Sequence, residues 1–334
     1  VYKRQVRVFE EKVRLLEGAE ASTSFASGMA AISDTLFGLL KPGDRVVSIK
    51  DSYGGTNRVF IEFLPRFGIE VHLCDTNDHE QIEAEINRGC TLLYLETPTN
   101  PTIKIVDIER LAAKAHAAGA IVVVDNTFAT PINQNPLSLG ADIVLHSASK
   151  FLGGHADALG GVICGEAKWV QPVYQFREIN GAVLSPADAY ALLRGMKTLG
   201  IRIERQNTNA MKMAEFLSQH AAVEQVFYPG LPTHEHHDVA CRQMRGFGGM
   251  LSFRVRGGFD AVRQVLPRLK LAHRAANLGA VETIVGPPAT TSHVECTTEQ
   301  RVAMGIPEGL IRYSAGIEHA EDLMADMQQA LAVL

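Results

Sequence analysis

The chain has 334 residues, 46% hydrophobic and 21% charged, enough to bury the core of one large domain and a smaller one. Its 32 Lys and Arg against 37 Asp and Glu leave a formal charge of −5 with the signs interspersed, so no basic surface is offered to nucleic acid or to an anionic membrane. No apolar stretch approaches the roughly 18–20 residues of a membrane-spanning helix, and the first twenty residues are too charged for a signal peptide.

Five scattered cysteines (Cys74, Cys90, Cys164, Cys241 and Cys296) form no CxxC pair. They point to reduced thiols in a cytoplasmic protein rather than to disulfides or a zinc site. Between residues 22 and 165, β-rich runs alternate with helical patterns. Strands are predicted at Ser22–Ser27, Arg45–Ile49, Glu70–Asp75, Thr91–Glu96, Ile121–Asp125, Ile143–Ser147 and Leu159–Cys164. Helices are predicted at Gly28–Leu40, Asn57–Phe67, Asp78–Asn87 and Val106–Ala118, where apolar residues recur at helical spacing. Runs such as IVVVD and TLLYLE are apolar without alternation, as in a mostly parallel sheet covered on both faces.

A long helical stretch from Pro186 to about His220 follows, with breaks predicted at Gly195 and Gly200. Then come VEQVFY, GGMLSFRV and LIRYSAGI as strands, and helices at Phe259–Leu269 and Ala320–Leu334. The chain reads as an α/β large domain over residues 1–204 and a smaller α+β domain over 205–334.

The strongest local signal is HSASKFLGGHADALGG, residues 146 to 161. A lysine, Lys150, sits just past a strand's carboxyl end in a glycine-rich loop, where open α/β sheets bind ligands. Partly desolvated, such a lysine forms an imine with an aldehyde, and Ser147 and Ser149 offer hydroxyls for a phosphate. A lone lysine is by default a surface residue, so the loop needs support from elsewhere.

Asp125 ends the most apolar strand and can pair with a protonated pyridine nitrogen, although an Asp there also caps turns. Ser27-Gly28-Met29 lies where a strand gives way to a helix, whose first amides bind phosphate. HEHHD, His234–Asp238, reads as a solvated face, because neighbouring residues on a helix do not converge on one metal. LGGHADALGG does not match GxGxxG, so no dinucleotide site is expected.

Taken together, SGMAA, SYGGTNR, LETPTNPT, VVDNTF, NPLSLGADIVLHSASK, GHADALGG, GAVLSPADAY, RGMKTL, YPGLPTH, GFGGMLSF and LIRYSAGIE resemble the Cys/Met-metabolism family of pyridoxal-phosphate (PLP) enzymes. The resemblance runs from about Val6 to the C-terminus and implies the aspartate-aminotransferase type of fold. It implies that Lys150 carries PLP as a Schiff base and shuttles protons. It implies that Asp125, with Thr127 beside it, holds the pyridinium proton, and that Tyr53 stacks on the ring and serves as proton donor or acceptor. By the same resemblance Gly28, Met29, Ser147 and Ser149 cradle the phosphate, Asn100 bonds the phenolic oxygen, and Arg312 grips the substrate's α-carboxylate.

Within the family, SYGGTNR, ETPTNPT and GAVLSPADAY are most similar to cystathionine gamma-lyase. Gly55 stands where methionine gamma-lyases carry cysteine. By the resemblance Thr283, Glu282 and Arg58 also bind the substrate, Arg58 and Glu282 matching positions at its distal end. The family's AESLGG-xES reads AANLGAVET here (Ala275–Thr283), and its xPAxMTH reads PPATTSH (Pro287–His293), which opens the side-chain specificity. The family also has an N-terminal YxRxxNPT arm that reaches a neighbouring subunit's phosphate; the chain starts VYKRQ where that motif ends, so a truncated start is expected.

The implied activity is elimination at the γ-carbon of a sulfur amino acid, cystathionine first. The alternatives are γ-replacement of the cystathionine gamma-synthase or O-acylhomoserine sulfhydrylase type, or γ-elimination on a non-sulfur amino acid. The implied partners are an amino-acid substrate and further copies of the chain in a dimer or tetramer.

Overall fold

A computed structural model describes residues 2–291, 297–303 and 305–334. The chain opens with α1 (Tyr2–Glu17), then β1 (Ala21–Phe25), α2 (Gly28–Leu39), β2 (Arg45–Ile49), α3 (Gly54–Arg58), β3 (Glu70–Cys74), α4 (His79–Asn87), β4 (Leu92–Glu96), α5 (Ile108–Ala117) and β5 (Ile121–Asp125). There follow α6 (Thr130–Asn133), β6 (Ile143–Ser147), β7 (Gly161–Gly165), α7 (Ala167–Asn180), α8 (Pro186–Gly195) and α9 (Leu199–Ser218). The chain ends with β8 (Val223–Phe227), α10 (His237–Gln243), β9 (Met250–Val255), α11 (Gly258–Val265), β10 (His273–Arg274), β11 (Ile284–Gly286), α12 (Thr298–Ala303), β12 (Leu310–Ser314) and α13 (Ala320–Leu331).

The first seven strands form one sheet in the order β1-β7-β6-β5-β4-β2-β3. Strands β2 to β6 run parallel, and β7 is antiparallel to both its neighbours. The unbroken apolar runs have the expected cause: Tyr94 and Val123 face a core with α2, while Leu93, Leu95, Val122 and Val124 face another with α4 and α5. All carboxyl ends of the parallel strands therefore lie on one edge, which carries the loops with Tyr53, Glu96, Asp125 and Ser147. The remaining strands form a second sheet, β10-β11-β12-β9-β8, packed on α9, α11 and α13.

Helix starts follow side-chain caps. Asp78 and Asp107 accept from the amides of Gln81 and Arg110, so both residues lie just outside the helices. The helix expected over Asn57–Phe67 instead divides into α3, a π turn at Val59–Phe63 and a 3-10 turn at Leu64–Phe67. Pro65 has no N–H to continue the α ladder, and Gly68 closes the segment at φ 72°.

Gly195 is the last residue of α8, where a 3-10 turn takes over, and any Cβ there would lie 2.0 Å from the Gly153 carbonyl. Gly200 does not break the chain but lies inside α9, whose Ile203, Ala210, Met213 and Leu217 are buried. The boundary expected at 204/205 falls within this same helix. HEHHD straddles the start of α10: His234–His236 form the turn before it and His237 and Asp238 its first residues, with His236 at φ 61° and stacked on His79 at 4.7 Å. Among the described residues no His, Cys, Asp and Glu group is arranged to hold a metal, and no helix is long and apolar enough to cross a membrane. Cys74, Cys90, Cys164 and Cys241 are free thiols; Cys296 and His293 lie outside the described residues.

Candidate active site

The edge of the large sheet assembles a continuous set of contacts. Ser27 caps α2 by accepting from the Ala30 amide at 3.1 Å, which aims the helix's first turn at the end of β6. Gly28 lies so close to Ser147 that a Cβ would come within 2.7 Å of that residue's Cβ and Oγ. Ser147 is held in turn by its own amide, which donates to Thr127 Oγ1 at 2.8 Å. Ser149 exchanges hydrogen bonds with Gly160, its hydroxyl accepting from the Gly160 amide at 2.9 Å.

Asp125 is buried at the end of β5. Its Oδ1 accepts from the Thr127 amide at 2.9 Å and from the Thr127 hydroxyl at 2.5 Å. Burial raises its carboxyl above the usual carboxylate range, and the Thr127 bonds oppose that rise. Directly across the strand pair stands Glu96, also buried, whose Oε2 accepts from the Tyr53 amide at 2.8 Å. Burial first, and then the Asp125 charge, push Glu96 well above its ordinary value. Glu96 lay in the quoted LETPTNPT motif without a role; its signal was the position at a strand end beside Asp125.

Tyr53 is 46% exposed, and its ring borders Gly55, where a Cβ would meet Tyr53 Cε1 at 2.8 Å and Met29 Sδ at 2.6 Å. Met29, Gly55 and Tyr53 thus form one wall of the site. A side chain at Gly55 would displace it.

Lys150 and Arg312 form a second wall, tied together by hydrogen bonds. Lys150 Nζ donates to Asn277 Oδ1 at 2.7 Å. Arg312, buried in β12, donates to Asn100 Oδ1 at 3.1 Å and to the carbonyls of Ala276 and Asn277 at 3.0 and 3.3 Å. Burial, then the Arg312 charge, lower Lys150 from 10.5 to about 8. Burial lowers Arg312 to about 10, against the opposing influence of Tyr53. Two cations thus share a desolvated wall with only neutral oxygens as hydrogen-bond partners, a surface suited to an anionic ligand. With Asn100 Oδ1 turned to Arg312, its NH2 end is the one left to donate to a ligand.

Three expected substrate-binding residues sit differently. Thr283 is buried, with its hydroxyl donating to Glu318 Oε2 at 2.8 Å and accepting from the Gly316 amide at 2.9 Å, so this side chain braces the small sheet. Arg58 is exposed and pairs with Glu62 at 3.2 Å, one helical turn away. Glu282 is exposed, and the structure joins no ion pair between it and Arg58. Exposed long side chains on separate segments are poorly specified by sequence order.

The family model described as Cys/Met metabolism PLP-dependent enzyme matches residues 2–332. The chain is 46% identical to an L-methionine gamma-lyase of Fusobacterium nucleatum subsp. polymorphum, over 97% of this chain and 83% of that one. It is 47% identical to a cystathionine gamma-lyase of Bacillus subtilis (strain 168), over 96% and 85%. It superposes with TM-score 0.96 and 38% identity on the structure of a cystathionine gamma synthase from Xanthomonas oryzae pv. oryzae in complex with cystathionine, covering 98% of this chain and 85% of that one. Overall likeness therefore does not separate the two lyases as Gly55 was expected to. A match over nearly every residue, with the fold shared as well, leaves one conclusion: the chain belongs to the Cys/Met metabolism PLP-dependent enzymes, and its cofactor is PLP.

Proposed function

We propose that the chain catalyses elimination at the γ-carbon of a sulfur amino acid, with cystathionine the first substrate to test. The observation that carries this reading is the hydrogen-bonded group in which Asn277 joins the Lys150 amine to Arg312, with Tyr53 near enough to act on the Arg312 charge. The residues present fit the cofactor. Asp125 is a buried carboxyl that would be relieved by a cationic ring nitrogen, and Gly28, having no Cβ to clash with Ser147, brings the α2 N-terminus up against that residue. Asp125 and Thr127 would hold the ring nitrogen, Asn100 the phenolic oxygen, and Gly28, Met29, Ser147 and Ser149 the phosphate at the α2 N-terminus. When bound, PLP supplies the electron sink for the pair left on the substrate's α-carbon.

The remaining work falls to side chains. Arg312 would hold the α-carboxylate and so fix which bond at the α-carbon faces Lys150. Lys150 Nζ would accept the α-proton, release it toward the cofactor and only then, as a free amine again, accept a proton from the β-carbon, for which an amine lowered to about 8 is suited near neutral pH. The Tyr53 hydroxyl would hold the proton that the departing γ-sulfur needs. Glu96, through the Tyr53 amide, sets where that hydroxyl stands. Arg58 and Glu282 are proposed only as outer contacts of the substrate's distal end.

The likeness to the cystathionine gamma synthase structure supports a second reading, γ-replacement, which uses the same residues. Product analysis separates the two. With PLP-loaded protein, cystathionine is expected to yield cysteine, ammonia and a 2-oxo acid. Faster formation of cystathionine from an O-acyl-homoserine and cysteine would favour replacement. Turnover of neither would overturn both.

We also propose a cytoplasmic location and self-association. Leu159, Ile179, Val183, Tyr190 and Ile201 expose large apolar side chains on α7, α8, α9 and adjoining loops. Light scattering is expected to give at least two chains per particle, and a monomer would refute the proposal.

A further inference from the structure

We propose that Asn277 is a positioning residue for Lys150: its side-chain carbonyl holds the lysine amine, whenever that amine is free, on the side of the site that Arg312 occupies. The proposal rests on the reading of Lys150 as the cofactor lysine. It deepens that reading, because the AANLGAVET stretch that carries Asn277 departs from the family pattern and assigns no role to this position.

Three observations support it. Asn277 Oδ1 lies 2.7 Å from Lys150 Nζ, and the carbonyl of the same residue accepts from Arg312 at 3.3 Å, so one residue sets the spacing of the two cations. The loop has little freedom to move away. Leu278 is buried, and the Gly279 amide donates to Ser314 Oγ at 2.9 Å. Gly279 itself sits at φ +78°, where a Cβ would meet the Phe151 amide at 2.7 Å and the Lys150 carbonyl carbon at 3.1 Å. The loop is therefore packed against the backbone of Lys150 as well as bonded to its amine.

The choice of an amide has a chemical consequence. A neutral carbonyl accepts from an ammonium and from an amine, more strongly from the ammonium but without the full charge of a carboxylate, so it orients Nζ while favouring the charged form less than an acid would. The charge that acts on the amine is that of Arg312 from β12, while the same sheet edge carries the carboxyls of Asp125 and Glu96 at the ends of β5 and β4. Those two carboxyls are turned to Thr127 and to the Tyr53 amide. A carboxylate at position 277 would add an ion pair that holds Lys150 protonated and also screens Arg312.

The test uses full-length cofactor-free protein mixed with PLP, following growth of the visible absorbance band across pH for wild type, Asn277→Ala and Asn277→Asp. Wild type should attach PLP at a rate that rises with pH and levels off above about 8. Asn277→Asp should move that midpoint upward by about one pH unit or more. Asn277→Ala should slow attachment about tenfold and lower kcat more than it raises KM, with thermal melting close to wild type. Wild-type rates and midpoint in both variants would overturn the proposal. So would a fall in melting temperature with an unmoved midpoint, the pattern of a merely structural loop residue. Absence of a visible band in wild type would overturn the underlying reading of Lys150, and this inference with it.

Discussion

Lys150→Ala is expected to lose the visible absorbance of bound PLP after desalting and to lower turnover by roughly 10³-fold or more, because on the proposed reading one side chain is both attachment point and proton carrier. The same change should stabilise the cofactor-free protein. Burial and Arg312 lower the lysine from 10.5 to about 8 in the fold. Between those values the unfolded chain binds more protons than the native one, so wild-type stability rises with pH across that window. Below about 8 the cost of the buried ammonium is fully present. Alanine removes it, so the variant should melt a few degrees higher than wild type at pH 7, with the gap narrowing toward pH 10. Thermal melts of both cofactor-free proteins at the two pH values check the sign. A variant less stable than wild type at pH 7 would show that Lys150 is not held as a desolvated cation.

Asp125→Asn is expected to weaken PLP binding and turnover on the order of 10²- to 10³-fold, the effect of removing one partner of a buried charge pair. The amide can keep its Oδ1 on the Thr127 amide and hydroxyl, so the turn should persist. What it loses is the negative charge. In the cofactor-free protein that charge is a liability, because burial raises the Asp125 carboxyl above its ordinary 3.8. As pH rises from 3.8 through the raised value, the native state holds its proton longer than the unfolded one, so wild-type stability falls across that window. Above the raised value the whole penalty is in place. Asp125→Asn should therefore melt higher than wild type without PLP and lower than wild type with saturating PLP. Calorimetry with and without the cofactor tests the crossing. Equal shifts in both conditions would mean that Asp125 does not meet the ring nitrogen.

Both variants expose the same compromise. Lys150, Arg312, Asp125 and Glu96 are ionisable groups held where their charged forms are poorly solvated, and the protein tolerates this at the sheet edge because the groups serve a ligand.

Much of this arrangement is legible along the chain. The strands at Arg45–Ile49, Ile121–Asp125 and Ile143–Ser147 could be read from unbroken apolar runs, because a strand covered on both faces has no polar side to interrupt it. Lys150 and Asp125 could be read because each stands directly after such a run, where a parallel sheet presents its ligand edge. The helix over Asn57–Phe67 was misread because one proline outweighed the apolar spacing. Gly200 was misread because burial of the α9 face outweighs the weak helix propensity of glycine.

Local sequence by itself thus determined the strand edge, the lysine, the aspartate and the glycine beside the helix start, since each depends on residues a few positions away. Tertiary structure alone decided which oxygens those groups meet. Asn277 reaches Lys150 across 127 positions and Arg312 reaches Asn100 across 212, while Glu96 meets Asp125 only through strand register. It also committed the Thr283 hydroxyl to Glu318, 35 positions on, a pairing that no local pattern encodes. Hydrogen bonds act over about 3 Å and carry no trace of the chain length between their partners, so only the packed fold can assign them.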